Sequence, residues 1–321
     1  MRRLIGLILI DAAFIGAMAF LAPGFVSRTN MVTMVGNMSF EAIALAGLTM
    51  LLVGGLFDLS IDGVVAVAGV VTGQLLMDGA PVLLAIAAGM GLGLGIGLVN
   101  GLLVMKVKVN PIIATLGTWW ICAGMAYGIT KAVSPYGFPK AFHALGQTHV
   151  LGFKIYVFYA VVIVGVLAAV LAWTKFGRHV YVIGGNREAG RLFGVRIERV
   201  GITLYLLMSA LAAFIGIIMA ARLDAGAANV VDGMTMRVLA AAVIGGCALS
   251  GGKGNILSGL LGLLLLNMLT NAAIILGLSP YWQKSIIGVV LLLALIADAL
   301  SSRIHVPHLA RKTMEADSEA V

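Results

Sequence analysis

Apolar runs of membrane-spanning length recur along this chain, and they limit its fold more than any other feature of the sequence. A helix needs roughly 20 apolar residues to cross about 30 Å of membrane hydrocarbon. Of the 321 residues, 61% are hydrophobic and 11% are charged, whereas a soluble domain usually carries about 25% charged residues. Most of the surface therefore cannot face water, and the sequence predicts an all-α polytopic membrane protein.

Ten apolar runs are predicted to be transmembrane helices. They cover residues 4–22, 38–55, 61–77, 82–104, 112–130, 155–174, 202–221, 238–250, 256–277 and 284–300. Because ten is an even number, both termini are predicted to lie on the same side of the membrane. Residues 1–303 are therefore predicted to form a single transmembrane domain, and residues 304–321 a tail on the same side as the N-terminus.

The distribution of lysine and arginine predicts how these helices are oriented. With both termini in the cytoplasm, 14 of the 21 lysines and arginines fall in cytoplasmic segments, as the positive-inside rule requires. Six of them lie in residues 175–200, the longest predicted cytoplasmic loop. The net charge of +8 does not indicate a nucleic-acid partner, because the basic residues are dispersed among apolar runs and form no binding stripe.

Two glycine-rich segments interrupt the apolar pattern, at Gly54–Gly63 (GGLFDLSIDG) and at Gly245–Gly254 (GGCALSGGKG). Non-helical backbone at membrane depth is tolerated only where protein or a water-filled cavity covers it. Paired interruptions often lie on the pathway of a transporter. We interpret both segments as interrupted helices, and short cytoplasmic turns remain the alternative interpretation.

Four glycines in the fourth predicted helix are spaced four residues apart, namely Gly89, Gly93, Gly97 and Gly101. This spacing places them on one helix face, where small residues allow a neighbouring helix to approach closely. The pattern predicts helix packing and not chemistry, because no dinucleotide-binding motif fits these glycines.

No catalytic or metal-binding constellation is predicted. The five histidines lie in predicted loops or in the tail, without cysteines or carboxylates at ligand spacing. Residues 251–253 (GGK) match part of a phosphate-binding loop, but Cys247 stands where that motif needs glycine and Gly254 where it needs serine or threonine. The chain is therefore predicted to be no enzyme and to hold no cofactor, so a partner must bind any ATP that powers it.

Two carboxylates, Asp11 and Glu41, lie deep inside predicted helices. An ionisable residue inside the membrane is a functional candidate, because a charge there is costly. One alternative is therefore a secondary carrier or facilitator coupled through Asp11 and Glu41. In the other interpretation, both residues form hydrogen bonds with neighbouring helices. A non-transporting membrane scaffold is a further alternative.

Four motifs, in this order along the chain, carry a resemblance to a known family. They are GGLFDLSIDG (Gly54–Gly63), NGLLVMKVKVNPIIATLG (Asn100–Gly117), YVIGGNREAGRLFGV (Tyr181–Val195) and AAAVIGGCALSGGKGN (Ala240–Asn255). From about residue 30 to 303, the chain resembles the ribose-type permease subunits of bacterial ATP-binding-cassette (ABC) importers, which carry sugars and related small polyols.

The resemblance implies a multi-pass permease in the bacterial cytoplasmic (inner) membrane. It also implies three partners in addition to the lipid bilayer. They are an ATP-binding cassette ATPase subunit, a periplasmic or extracellular sugar-binding protein, and a second permease chain in a homodimer or heterodimer. ATP would be bound by the ATPase partner.

The chain departs from the family pattern at two places. Asp62 stands where the family has a small residue, in the sequence Asp-Leu-Ser-Val-Gly-Ser. Thr235 and Arg237 stand where the family has two acids, in the sequence Glu-Leu-Asp-Ala-Ile-Ala-Ala. These changes on the predicted outer side indicate a divergent subfamily or an unusual partner.

The loop at 175–200 is the candidate contact for the ATPase. Asn186 can cap a helix N-terminus, Glu188 follows in the first turn where the helix dipole favours an acid, and Gly194 can end the helix in a left-handed conformation. A helix of about two turns is predicted, with Leu192 and Phe193 as apolar contacts. The candidate coupling residues are Asn186, Arg187, Glu188, Arg191, Leu192, Phe193 and Gly194.

The candidate translocation path is assigned to amides, hydroxyls and aromatic rings, which hold neutral sugars. The candidates are Phe57, Asp58, Ser60, Gln74, Asn100, Thr115, Trp119, Trp120, Asn267 and Asn271. The alternative for the tryptophans is packing, and the alternative for Asn100 and Asn267 is hydrogen bonding between helices.

Overall fold

The computed structural model describes residues 2–131 and 133–279, together with seven scattered helical positions between 282 and 296. Over this part the chain is almost entirely helical. The α-helices are α1 (Arg2–Leu21), α2 (Arg28–Val53), α3 (Ile61–Met77), α4 (Val82–Leu102), α5 (Pro111–Thr130), α6 (Lys140–Gln147), α7 (Ile155–Trp173), α8 (Lys175–Gly185), α9 (Arg187–Leu192), α10 (Ile197–Leu223), α11 (Met234–Ile244) and α12 (Ile256–Ile275).

Short irregular elements connect the helices. A turn of 3-10 helix (Pro23–Val26) precedes α2, and a π-helical turn (Leu103–Val107) follows α4. Two-residue strands, β1 (His149–Val150) and β2 (Phe153–Lys154), form an antiparallel hairpin that leads into α7.

Among the described residues, seven helices are long and apolar enough to cross a membrane: α1, α2, α4, α5, α7, α10 and α12. Each corresponds to one predicted run, so the prediction of a helical, multi-pass membrane protein is confirmed. The third and eighth predicted runs are shorter helices, α3 with 17 residues and α11 with 11. The tenth run, 284–300, lies outside the continuously described residues, so the count of ten stays a prediction.

The predicted boundaries of the eighth run, 238–250, are wrong at both ends. Helix α11 begins four residues earlier, at Met234, and ends at Ile244. It stops there because Gly246 adopts a left-handed conformation with φ of +96°, which continues no right-handed helix. The remaining residues to Gly254 belong to the non-helical connection to α12.

Helices α2 and α10 form the centre of the molecule. Residues 39–53 of α2 and most of α10 are buried, as expected for helix segments that are apolar around their circumference. Helix α2 packs against α7, α10, α11 and α12, and α10 packs against α2, α3 and α4. At their contact, a methyl group added to Gly47 of α2 would lie 2.7 Å from the sulfur of Met208 and 2.8 Å from Cδ1 of Leu211 on α10. The other spanning helices pack around this pair, and α5 presents most of its surface outward.

The glycine face of α4 packs against α10, as its spacing predicts. A methyl group added to Gly97 would lie 2.8 Å from the carbonyl oxygen of Tyr205, and one added to Gly101 would lie 3.1 Å from Cα of Ile202. These distances leave no room for a side chain. The absence of side chains therefore allows the two backbones to pack in direct contact.

Residues 175–200 are more helical than the predicted loop, which contained a single helix of about two turns. They form the amphipathic helix α8, the short helix α9 and the start of α10. The Thr174 hydroxyl caps α8 by accepting a hydrogen bond from the Gly177 backbone N–H at 3.1 Å. Helix α8 is stable because Val180 and Ile183 lie on one of its faces and are buried.

Candidate functional site

Helix α9 has the capped geometry that the sequence predicts. The side-chain oxygen of Asn186 accepts a hydrogen bond from the Ala189 backbone N–H at 3.0 Å. At the other end, Gly194 has φ of +75°, and the backbone N–H of Val195 donates to the Gly190 carbonyl oxygen at 2.9 Å. Glu188 lies in the first turn. The short helix is thus fixed at both ends by local hydrogen bonds.

Helix α9 presents an apolar tip. Gly190 is buried, and a methyl group there would lie 3.1 Å from a side-chain carbon of Val182. On the opposite side, Leu192 and Phe193 are 89% and 85% exposed. Two large apolar side chains at the polar end of the molecule form a small surface suited to contact with another protein.

Helices α8 and α9 together contact both interrupted segments, which meet one another. The backbone N–H of Gly252 donates to the Val53 carbonyl oxygen at 2.8 Å. Gly184, at the end of α8, lies so close to both that a methyl group there would clash with Val53 O and lie 2.6 Å from Gly252 N. The Arg187 guanidinium donates to the Gly55 carbonyl oxygen at 3.2 Å. We call this meeting point of Val53, Gly55, Gly184 and Gly252 the glycine junction.

A tyrosine of α8 provides a further link to the second interruption. The Tyr181 hydroxyl donates to the Gly254 carbonyl oxygen at 2.8 Å. Burial, reinforced by the nearby Cys247, raises the pKa of Tyr181 above its ordinary value. The hydroxyl therefore stays protonated at neutral pH and keeps this hydrogen bond.

Four of the candidate path residues form one buried network. Asp58 Oδ1 accepts hydrogen bonds from the backbone N–H and the hydroxyl of Ser60, at 2.8 and 2.5 Å. The Asn100 side-chain amide donates to the Ser60 hydroxyl at 3.0 Å, and the Thr115 hydroxyl accepts from the Leu59 N–H at 3.0 Å. All four side chains are fully or almost fully buried.

The network holds the first interruption against α4 and α5. Thr118 extends it, since its hydroxyl donates to the Asn100 side-chain oxygen at 2.6 Å. Thr118 was not among the candidate path residues, although it follows Thr115 by three residues on the same helix. In this conformation the network residues form hydrogen bonds between neighbouring segments of the chain. Their role in the translocation path stays a prediction.

The two tryptophans lie elsewhere, on a cavity of about 230 Å³. Their ring centroids are 4.7 Å apart. The polar and aromatic residues that line the cavity are Asp62, Trp119, Trp120, Tyr127, Asn229 and Asp232. Trp119 and Tyr127 are eight residues apart on α5, a spacing that could have identified Tyr127. Asn229 and Asp232 follow α10 and carry no signal of their own in the sequence.

The remaining four path candidates do not line this cavity. The Phe57 carbonyl oxygen accepts a hydrogen bond from the Tyr205 hydroxyl at 2.8 Å, and the Gln74 amide donates to Asp78 at 3.1 Å. Asn271 exchanges amide hydrogen bonds with Asn30 at 2.8 and 2.9 Å. The last of the four, Asn267, belongs to an ion-pair network between α2, α11 and α12.

This network joins Glu41 to Arg237. The Arg237 guanidinium lies 3.0 Å from Glu41 Oε1, and the Asn267 side-chain amide donates to Glu41 Oε2 at 2.8 Å. Glu41 therefore forms contacts with neighbouring helices, as one of its two interpretations requires. Asp11 differs, because it is buried and its carboxylate oxygens have no hydrogen-bond partner among the described residues.

The two departures from the family pattern turn out to be in contact. Asp62 Oδ1 accepts hydrogen bonds from the backbone N–H and the hydroxyl of Thr235, at 2.8 and 2.6 Å. Its other oxygen accepts from the Gly233 N–H at 3.0 Å. The acid missing at position 235 is thus supplied from α3, where it caps the N-terminus of α11. Arg237, the other change, is neutralised by Glu41.

We expect this contact to tolerate an exchange of its two partners. Asp62→Gly alone removes the acceptor of three hydrogen bonds, so it should lower the stability by about 1.5–3 kcal/mol. Adding Thr235→Glu returns an acid to the first turn of α11 and should recover much of that loss. Thermal unfolding of both variants in detergent measures the effect, with Asp232→Asn as a control on the same cavity. A double variant less stable than Asp62→Gly would contradict the exchange.

Comparison with known proteins places these features in context. The family described as branched-chain amino acid transport system / permease component matches residues 12–295. The chain is 36% identical over 293 residues to the L-arabinose transport system permease protein AraH of Escherichia coli (strain K12), covering 91% of this chain and 89% of that protein.

Two ribose permeases have a similar sequence identity to this chain. The chain is 32% identical over 286 residues to the ribose import permease protein RbsC of Bacillus subtilis (strain 168), covering 88% of this chain and 89% of that one. It is 34% identical over 290 residues to RbsC of Escherichia coli (strain K12), covering 88% and 90%. No solved structure matches the chain.

Proposed function

Because this chain belongs to the family of branched-chain amino acid transport system permease components, we propose that it forms the translocation path of an ABC importer for a sugar or a related small polar solute. The resemblance to ribose-type permeases, predicted from four motifs, is confirmed by the match to that family and by identities of 32–36% to the arabinose and ribose permeases. The names of these relatives support a sugar as the solute.

The observation that carries this proposal is the position of α9. Its exposed Leu192 and Phe193 offer a contact to a partner. Arg187 of the same helix forms a hydrogen bond with Gly55 of the glycine junction. In the proposed mechanism, an ATP-binding cassette ATPase docks on α9 and alternates between two states with ATP. A conformational equilibrium shifts only through differential binding to its states, so the α9 contacts must differ between them.

The cavity beside Trp119 supports a path for a polar solute. Aromatic faces can stack on the apolar face of a sugar ring, while Asp62, Asn229 and Asp232 can accept hydrogen bonds from its hydroxyl groups. The complete importer would also contain an external solute-binding protein and a second permease chain, identical or different. The permease itself would carry out no bond chemistry and would bind neither ATP nor another cofactor.

The proposed location is the cytoplasmic (inner) membrane of a bacterium. Both termini, α8 and α9 would face the cytoplasm, since that orientation places most lysines and arginines inside. The cavity beside Trp119 would then face the outer side, and residues 304–321 would form a cytoplasmic tail.

Purification from the native membrane tests this function. We expect an ATPase subunit to co-purify, and the complex in proteoliposomes to increase its ATP turnover when a sugar-loaded binding protein is added. The control is the same complex with an ATPase that binds ATP but cannot hydrolyse it. Transport by the chain alone, insensitive to ATP and altered by a proton gradient, would instead support a secondary carrier coupled through Asp11 and Glu41. Of these two, Asp11 has no hydrogen-bond partner among the described residues.

A further inference from the structure

A continuous groove runs along the outer half of α2 and α7. It consists of three adjoining cavities of about 180, 230 and 180 Å³. The first two share Val32 and Gly152 as lining residues, and the third shares Val35 with the second and Val157 with the first. The groove begins beside the β1–β2 hairpin, on the predicted outer side, and extends towards the membrane centre.

The outer end of this groove is positively charged. Lys154, Arg222 and His149 line the first cavity, Arg28 lines the second, and no acidic residue lines either. Among the described residues, neither Lys154 nor Arg222 forms an ion pair. An anion at this point would therefore meet at least two cationic side chains that lack a carboxylate partner.

Arg222 is held in place by neutral groups. Its guanidinium carbon lies 5.5 Å from the centroid of the Phe40 ring and 5.1 Å from that of Tyr156. One of its nitrogens donates to the Asn37 side-chain oxygen at 2.8 Å. Lys154 likewise donates to a neutral group, the Gln147 carbonyl oxygen, at 3.2 Å. Both cations are positioned without being neutralised, which favours recognition of a phosphate group.

The inner end of the groove is apolar. Its lining residues are Val35, Met38, Ser39, Ala42, Val157, Ala160, Val161, Val164 and Leu260. The one hydroxyl among them is satisfied, because Ser39 donates to the Val35 carbonyl oxygen at 2.8 Å. From Val35 to Ala42 the helix rises about 10 Å. This is a large part of one bilayer leaflet, whose hydrocarbon is about 15 Å thick.

We propose that this groove binds a phospholipid with an anionic headgroup. Its phosphate would lie between Lys154 and Arg222, and one acyl chain would follow α2 and α7 past Val35 and Val161. A free phosphate would use the charged end and leave the apolar end empty, whereas a lipid matches both ends at the correct depth. Basic pockets between transmembrane helices recognise anionic lipids for the same reason.

The full-length permease, stripped of lipid in detergent, provides the test. Native mass spectrometry would compare the binding of phosphatidylglycerol with that of phosphatidylcholine of the same acyl chains. Both lipids carry a phosphate, but phosphatidylcholine also carries the cationic choline, which Lys154, Arg222 and Arg28 repel. We therefore expect phosphatidylglycerol to bind about tenfold more tightly. An excess of inorganic phosphate should not displace it, because phosphate lacks the acyl chain.

Three variants test the contribution of each end of the groove to lipid binding and distinguish it from a general effect of the protein's charge. Lys154→Gln should remove most of the preference for phosphatidylglycerol. It leaves the stacked Arg222 in place, so the fold should persist. Val35→Trp should weaken the binding of both lipids, because the larger side chain fills the apolar end without changing any charge. Lys175→Gln, an exposed lysine at the predicted cytoplasmic end, is the matched control and should change neither.

Equal binding of the two lipids by the unmodified permease would overturn the proposal, as would full competition by inorganic phosphate. The proposal would also fail if Val35→Trp disrupted pairing of two permease chains and left lipid binding unchanged, since a second copy would then occupy the groove. These outcomes do not depend on ATP or on sugar. Failure of the lipid site is therefore distinguishable from failure of the proposed transport function.

Discussion

A permease that carries Leu192→Asp and Phe193→Asp is expected to lose uptake almost completely while it still reaches the membrane in normal amounts. Both side chains are more than four-fifths exposed, so replacing them should change the free energy of unfolding by less than about 0.5 kcal/mol. Anchor residues of an interface typically contribute about 2 kcal/mol or more each. The loss of both should therefore weaken ATPase association by at least about a hundredfold.

Co-purification of the ATPase and sugar uptake measure this effect. Leu151→Asp is the matched control, because Leu151 is 88% exposed but lies in the hairpin at the predicted outer end. It should leave ATPase association unchanged. Normal uptake by the double variant would show that α9 does not receive the ATPase, and the proposed coupling role would have to be abandoned.

Arg237→Met is expected to destabilise the permease by about 3–5 kcal/mol, the usual effect of removing one partner from a buried ion pair. Only 10% of the Glu41 side chain is exposed, so its charge would remain inside the protein without a cation. Adding Glu41→Gln should restore most of the stability. Glutamine carries no charge, and its carbonyl oxygen can still accept the hydrogen bond from Asn267.

Thermal unfolding in detergent measures the stability of Arg237→Met and of the double variant with Glu41→Gln. The control is Lys108→Met, which removes an exposed ion pair: Lys108 lies 3.8 Å from Glu198, and the two side chains are 57% and 54% exposed. Such pairs contribute about 0–1 kcal/mol, so the control should unfold close to the unmodified temperature. An Arg237→Met variant as stable as the control, or one that Glu41→Gln does not rescue, would argue against a structural ion pair.

Features that depend on neighbouring residues could be predicted from the sequence. The apolar runs gave the positions of the spanning helices, because each span must satisfy its own backbone hydrogen bonds within the membrane. The cap at Asn186 and the left-handed Gly194 were predictable for the same reason, since all the contacts of α9 that define its ends lie within about ten residues. The glycine face of α4 likewise follows from a four-residue spacing.

Features that depend on distant residues could not be predicted. Asp62 and Thr235 each stood out as a departure, but 173 positions separate them, and their contact exists only because α3 and α11 pack together. The cavity that joins Trp119 to Asn229 and Asp232 has the same origin. Helix α8 was missed for a different reason, because its basic residues concealed the buried face formed by Val180 and Ile183.

The glycine junction has a mechanical consequence for any pathway through this protein. A direct backbone hydrogen bond joins Val53, the last residue of α2 before the first interrupted segment, to Gly252 of the second, and Gly184 packs against both. The two segments therefore meet mainly through backbone atoms at Gly55, Gly184 and Gly252, and the Val53 side chain packs against Gly254. They cannot separate without losing their shared hydrogen bond. We therefore expect the two segments to move together, so that a displacement passed from α9 through Arg187 to the first segment also reaches the second.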